Sequence, residues 1–463
     1  MVVKSLFNRA GHVLIDNVHF HLMVWRFLWI FVTPLLRLIF RYRCVSVAAQ
    51  KAASAQFAGY RKETPAIVIS NHTTDLDPFF VGCSFPGHLY FVASEHVLRM
   101  GFVSRLIRFF FSPVVFPKAG TDTRALRDIL TRLQQGRSIC LFAEGNRSFS
   151  GETGKVDEST GKLVRLSGAA LITYRLRGGY FAAPRWSRKM RKGPVWGEPV
   201  GFYPPEVLKS MKSVEITALI RRDISEDAYE TMRKNPRPYR GRGLAEDLET
   251  ALYLCPRCGG MGTLVSRDDI LRCRCGLAVR YDEFGVLRNV FRNRKPGDLP
   301  GHGIEPFATV RDWWLWQYKT MEQIVAFAGT GPICSDDGEC LFAVEAGSKA
   351  HVFEQGRLSL GREGLRCGER LFPLEDIPEI AITGQRTLAF TAGGKRYELK
   401  NKKPRSAAKY QRVFELLVNS KASAYKTREL PHGFFICQHQ VMGDRDTDGY
   451  DCGYPAGSER TQA

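Results

Sequence analysis

No uncharged apolar run in this sequence is long enough to cross a bilayer unaided. The most apolar stretch, residues 18–41, is broken by Arg26 and Arg37, which bracket its longest uninterrupted run, Phe27 to Leu36. On an insertion scale two central arginines cost roughly 5 to 7 kcal/mol together, whereas ten apolar residues return about 3 to 6, so a simple spanning helix is not expected. Cysteine is also sparse, at 12 in 463 residues, which excludes a secreted disulfide scaffold. Four of those cysteines cluster at metal-ligand spacing, which points to a reducing compartment. There is no signal-peptide pattern and no internal repeat. Acidic residues are outnumbered, 47 against 67 Lys and Arg, leaving a formal charge of +20. That balance calls for anionic partners, whether nucleic acid, anionic lipid headgroups or phosphorylated substrates, and does not choose among them.

What is present is a globular composition, 44% hydrophobic, in a chain long enough for two or three domains and a large core. Residues 1–44 form the first segment. At about 100° per residue His12, Asp16, His19, Arg26, Thr33, Arg37 and Arg41 fall on one narrow stripe, with Phe20, Phe27, Phe31, Leu35 and Leu38 well away from it. This is the pattern of a helix lying in a membrane interface, with Pro34 expected to divide or kink it. The basic flank Arg37, Arg41 and Arg43 and the aromatics Trp25, Trp29 and Tyr42 suit a headgroup zone. The alternative is an amphipathic helix buried against its own domain.

Residues 45–250 alternate short apolar runs with helical periodicity, the signature of an α/β layered domain. Strands are predicted at Ala66 to Ser70, Leu89 to Ala93, Val114 to Phe116, Ser138 to Phe142 and Tyr180 to Ala183, with a helix from Thr123 to Gln134. The first strand ends at Asn71-His72, and Asp77 follows five residues after the histidine, beside Pro78 at a helix start. If the chain turns there into a helix, the Asp77 carboxylate can reach the imidazole and orient it as a general base. The fourth strand runs into Glu144-Gly145-Asn146-Arg147. Gly145 permits a tight turn or a close ligand approach, and Arg147 offers a planar fork suited to phosphate. Taken singly, each motif also reads as a solvated surface turn.

Together, over about residues 60–190, the two motifs, their order and their separation resemble the glycerolipid acyltransferases typified by 1-acyl-sn-glycerol-3-phosphate acyltransferase. The resemblance implies an acyltransferase-type mixed sheet flanked by helices. It further implies that His72 and Asp77 form the catalytic dyad, and that Phe142 to Arg147, including Glu144, Gly145, Asn146 and Arg147, engage the acyl acceptor and its phosphate. Phe116-Pro117-Lys118 matches the family's middle block, making Lys118 a second phosphate contact, and Ala182-Ala183-Pro184, followed by Arg185, stands for a later block. The sequence departs at Ala143, Asn146 and Thr74, where Pro, Thr and Ser are usual. It also lacks a lysine around Ser94-Glu95-His96, which leaves the acceptor's identity open.

The chemistry so implied is attack by a glycerol hydroxyl on a fatty acyl thioester, acyl-CoA or acyl carrier protein, with His72 taking the proton and Asp77 orienting it. Glu144 would order Arg147 or the turn. The acceptor implied is a glycerol phosphate lipid precursor, 1-acyl-sn-glycerol-3-phosphate, with other lysophospholipids or glycerol 3-phosphate as alternatives. A basic interfacial helix would then hold the enzyme at the cytoplasmic face of a membrane rich in anionic lipid, peripherally or monotopically.

Residues 251–295 follow a predicted helix, Gly243 to Leu252, and carry Cys255-Pro-Arg-Cys258-Gly and Cys273-Arg-Cys275-Gly. The spacing suits one tetrahedral structural zinc on Cys255, Cys258, Cys273 and Cys275, a small zinc ribbon with its metal shell closed. Pro296 to Gly303 reads as a linker. In residues 305–422 a helix bearing Trp313, Trp314 and Trp316 is expected to be core. Short strands, among them Ala350 to Phe353, Leu388 to Thr391 and Arg396 to Leu399, precede a helix with Tyr410, Val413, Phe414 and Leu417 on one face; this smaller β-rich unit resembles a pleckstrin-homology-like module. Residues 423–463 read as a disordered tail. Two rivals remain: a basic zinc-ribbon nucleic-acid-binding protein, which leaves the strand-end motifs unexplained, and a hydrolase using His72, Asp75 and Asp77 as metal ligands.

Overall fold

The computed structural model describes residues 18–94, 102–116, 123–290, 307–344 and 351–423. Lys118, His12, Asp16, the linker Pro296 to Gly303 and the tail from residue 424 lie outside them.

A mixed seven-stranded sheet organises the amino-terminal half. Its strands are β1 (Arg43–Cys44), β2 (Ala66–Ser70), β3 (Leu89–Ser94), β4 (Val114–Phe116), β5 (Ser138–Phe142), β6 (Ala170–Arg177) and β7 (Trp196–Tyr203), in the order β1-β7-β6-β2-β5-β3-β4. β2 is central and parallel to both neighbours, with Ser70 opposite Phe142 on β5 and Tyr174 on β6. All five β2 residues are buried, as a parallel strand covered on both faces requires. Ile67 and Ile69 pack with Ile129 and Leu133 of helix Thr123–Gln134 and Ile216 and Ile220 of helix Ser213–Ile224. Val68 faces the other layer, with Phe80, Phe40 and Trp25.

That second layer includes the amino-terminal helix Val18–Phe40. Pro34 does not divide it into two: one helix runs through the proline. Thr33, Leu36 and Phe40 are buried on either side of the proline, so packing holds the turns that the missing N–H weakens. Only a narrow face docks, through His21, Trp25, Thr33, Leu36 and Phe40, while Phe27, Trp29, Ile30, Phe31, Leu35 and Leu38 are exposed. The segment Phe20–Phe40, with mean hydropathy 1.7, is long and apolar enough to cross a membrane by length and composition.

Two other expectations are corrected. Tyr180 to Ala183 is not a strand: Gly179–Ala182 is a short helix entered from Gly178 at φ +80°, and the strand lies just before it, at β6. A four-residue apolar run carries no period that could tell the two apart. Gly243 to Leu252 is not a helix either. Gly243 and Asp247 both sit at φ +66°, outside helical geometry, and only the 3-10 turn Leu248–Thr250 forms.

Beyond this half lie two antiparallel sheets. The first orders β8 (Leu264–Arg267), β9 (Ile270–Cys273), β10 (Ala278–Tyr281) and β11 (Leu287–Asn289) as β11-β10-β9-β8. The second has seven strands, β12 (Cys334–Val344), β13 (His351–Leu360), β14 (Gly364–Cys367), β15 (Arg370–Pro373), β16 (Ile380–Thr383), β17 (Thr387–Ala392) and β18 (Lys395–Asn401). Its order is β15-β14-β13-β12-β18-β17-β16, and helix Ala407–Ser423 buries Tyr410, Val413, Phe414 and Leu417. Helix Val310–Phe327 is core as expected: Trp313 is fully buried, its Nε1 donating to the Leu254 carbonyl at 2.9 Å.

Candidate active site

Parallel pairing of β2 with β5 and β6 sends three strand ends to one sheet edge, the place where open α/β sheets leave a crevice. His72 follows β2 and the Glu144 to Arg147 turn follows β5. Asn71 ties the first loop to β6: its amide donates to the Leu176 carbonyl and its Oδ1 accepts from the Leu176 N–H, both at 2.8 Å.

Asp77 opens helix Asp77–Gly82 and is fully buried. Its Oδ2 lies 2.9 Å from His72 Nδ1 and accepts from the backbone N–H groups of Thr73 and Thr74 at 2.5 and 2.9 Å. Its Oδ1 accepts from both threonine hydroxyls, at 3.1 and 2.9 Å. Five donors thus pin one carboxylate, which in turn sets the imidazole's tautomer and orientation, with Nε2 left to accept a proton. Thr73 is itself held from behind: a Cβ on Gly179 would stand 2.2 Å from its Oγ1, so this approach admits only glycine. His72 also stacks on Phe142, centroids 4.4 Å apart.

Gly145 takes φ +67°, supplying the tight turn expected of it. Glu144 does not meet Arg147. Its Oε1 accepts from the His72 backbone N–H at 2.6 Å and its Oε2 from the Gly154 N–H at 2.5 Å, tying the turn to the histidine loop. Burial pushes its carboxyl up to about 8, against the two N–H donors that favour the anion. Arg147, with only 10% of its side chain exposed, lies 3.2 Å from Asp75, which is 80% exposed. Asp75 therefore faces a guanidinium and Asp77 is saturated by donors, an arrangement unlike a metal site built with His72. Asn146 presents its Oδ1 to Arg185 Nη2 at 3.3 Å. Beside the dyad, a small recess is lined by His72, Thr73, Glu144, Ser148, Tyr180 and Glu226.

Two residues here went without an assigned role from the sequence. In the sequence Asn71 stands only as the histidine's neighbour, and Arg185 only as the residue after the last block. Both act on partners far away in the chain, which no local spacing reveals.

The four cysteines converge elsewhere. A tetrahedral ion bonded to sulfur at about 2.3 Å places its ligands about 3.8 Å apart. Cys255 and Cys275 Sγ lie 3.7 Å apart, as do Cys258 and Cys273, and the four ligand atoms lie within 4.8 Å of one another. The residues fit a metal ion such as zinc, and with four thiolates they leave no open position.

A family model described as Acyltransferase matches residues 49–177. No curated protein matches the chain. Among solved structures, the chain is similar to the 1-acyl-sn-glycerophosphate (LPA) acyltransferase PlsC from Thermotoga maritima at 17% identity, covering 48% of this chain and 86% of that one, with a TM-score of 0.38. The family match spans β2 to β6, and so both His72 with Asp77 and the turn from Glu144 to Arg147. Residues 49–177, which carry both motifs, are thus the part of this chain that is similar to the acyltransferase family.

Proposed function

We propose that this protein is an O-acyltransferase that moves a fatty acyl group from a thioester, acyl-CoA or acyl carrier protein, to the free hydroxyl of 1-acyl-sn-glycerol-3-phosphate, giving phosphatidate. The observation that carries the reading is the buried Asp77 bound to His72 Nδ1 inside a matched acyltransferase segment. His72 Nε2 takes the hydroxyl proton as the oxygen attacks the thioester carbonyl, a contribution typically of about 10² to 10⁴ in rate. The tetrahedral intermediate expels the thiolate, which recovers the proton from the imidazolium. Arg147 holds the acceptor phosphate, exchanging its exposed partner Asp75 for the more strongly charged ligand. Lys118 is the second phosphate contact in this reading.

The exposed apolar face of helix Val18–Phe40, ending in exposed Arg37, Arg41 and Arg43, supports attachment to the cytoplasmic face of an anionic membrane. The cysteine cluster is a structural zinc site, and the seven strands closed by one helix form the pleckstrin-homology-like unit. Thiol release from palmitoyl-CoA, followed across glycerol 3-phosphate, lysophosphatidate and lysophosphatidylcholine, tests the assignment. Lysophosphatidate is expected to be the preferred acceptor, and His72→Ala to lower turnover by about 10² or more. Wild-type turnover in a folded His72→Ala protein would overturn it.

A further inference from the structure

Arg185 stands outside the matched segment, yet it joins the Arg147 turn to the second antiparallel sheet. The residue is 4% exposed, and among the described residues its guanidinium donates its hydrogen bonds to neutral oxygens. Nη1 donates to the Arg147 carbonyl at 2.8 Å and Nη2 to Asn146 Oδ1 at 3.3 Å. From the same fork, Nε donates to the Gly384 carbonyl at 3.2 Å and Nη2 to that of Ile382 at 3.4 Å, both in the β16–β17 hairpin. The guanidinium also lies over the Phe149 ring, 4.2 Å from its centroid. Beside it the same hairpin is fastened again, Gln385 Nε2 donating to the Ser187 carbonyl at 2.5 Å.

A buried cation whose hydrogen bonds go only to neutral acceptors recovers little of its desolvation cost, and the charge of Asp75 offsets only part of it. Burial, with Arg147 adding to it, pushes the Arg185 guanidinium down to about 9. Next to it Arg147 is balanced by a single carboxylate, Asp75, which is largely in water. Two guanidiniums against one exposed carboxylate leave a local excess of positive charge, the field an incoming phosphate requires.

We propose that Arg185 is a positioning residue for acceptor binding. By bridging the Arg147 turn and the Ile382 to Gln385 hairpin, it makes the carboxy-terminal sheet part of the framework that aims Arg147 at the acceptor phosphate. This rests on the phosphate role given to Arg147 above. Arg147 does not hold its own turn; its backbone is fixed from behind by a side chain that the hairpin clamps. A lysine in place of Arg185 keeps the charge but loses the planar fork that reaches both elements at once.

The test uses the full chain, with KM for lysophosphatidate and KM for palmitoyl-CoA measured separately. Arg185→Met is expected to raise the lysophosphatidate KM about tenfold or more, with the palmitoyl-CoA KM unchanged. Arg185→Lys should recover part of the loss. Gln385→Ala, which loosens the hairpin without touching the guanidinium, should shift the same KM in the same direction and by less. It keeps the test available if Arg185→Met fails to fold. A wild-type lysophosphatidate KM in either Arg185→Met or Gln385→Ala would overturn the proposal, as would parallel changes in both KM values. Failure of the acyltransferase reading looks different: the wild-type protein itself would then transfer no acyl group to any glycerol phosphate acceptor.

Discussion

The imidazole of His72 lies flat against the ring of Phe142, the two planes 18° apart. The contact follows from strand register. Ser70 sits opposite Phe142 in the β2–β5 ladder, so the residues just past Ser70 come to rest over the end of β5. One face of the imidazole is covered by this ring and one nitrogen is taken by Asp77, which removes most of the side chain's freedom before any substrate arrives. The dyad and the Glu144 turn are thus one unit, joined again by the hydrogen bond from the His72 backbone to Glu144.

Replacing Asp77 with asparagine separates charge from shape. An asparagine oxygen can occupy the Oδ2 position and accept from the two backbone N–H groups and from His72. Its NH₂ then meets the hydroxyls of Thr73 and Thr74, which rotate from donating to accepting. The structure should persist while stabilisation of the imidazolium is lost. Asp77→Asn is expected to lower kcat by about 10² or more, with little change in thermal midpoint. A steady-state assay beside a melting curve decides this: kcat within a few-fold of wild type would show that the carboxylate does no electrostatic work.

The sheet and its two loops were legible because their signals are local. β2, β4 and β5 are largely apolar runs of strand length, β2 and β5 run into polar turns, and Asp77 follows His72 closely enough for one helical turn to bring them together. β6 and β7 carry no such signal, because Thr173, Arg175, Arg177 and Glu198 interrupt their apolar pattern. The structure accounts for these residues: Thr173 and Arg175 are hydrogen-bonded to Asp223, and Arg177 pairs with Glu198 and Glu226. The amino-terminal helix showed its two faces in sequence, but which residues would dock was decided by the sheet's outer layer. The bridge through Arg185 spans nearly two hundred positions of chain, and no periodicity carries that information.

The cysteine cluster supports more than its own strands. Just before Cys255, the backbone at Ala251, Tyr253 and Leu254 is gripped by helix Val310–Phe327. Gln317 Nε2 donates to the Ala251 carbonyl at 2.8 Å, the Tyr253 N–H donates to Gln317 Oε1 at 3.0 Å, and Trp313 donates to Leu254. Loosening the four thiolates should therefore loosen that helix. Prolonged chelation, or Cys258→Ser, is expected to lower the thermal midpoint by several degrees. The dyad lies elsewhere, so brief exposure to EDTA should leave turnover intact. Metal analysis should find about one zinc per chain. Immediate loss of activity on EDTA addition would place the metal in the chemistry.

A second structural dependence lies where the amino-terminal helix docks. His88 is buried between His21 and Tyr90, its ring 5.2 Å from that of His21, while Trp25 packs edge-on at 5.1 Å. The charged groups on the far side are Arg132 and Arg137, both over the Tyr90 ring. Burial, with His21 and the two arginines adding to it, pushes the His88 imidazole down from 6.5 to about 3. The sign follows from which state binds the proton. The unfolded chain protonates His88 below about pH 6.5 and the folded protein does not until near pH 3, so this contribution to stability is complete above 6.5 and is lost as pH falls between those values. Wild-type thermal midpoints should fall from pH 6.5 to pH 4 more steeply than those of His88→Gln, which has no proton to gain. Parallel curves over that interval would show that keeping this ring neutral does not control how the helix is held.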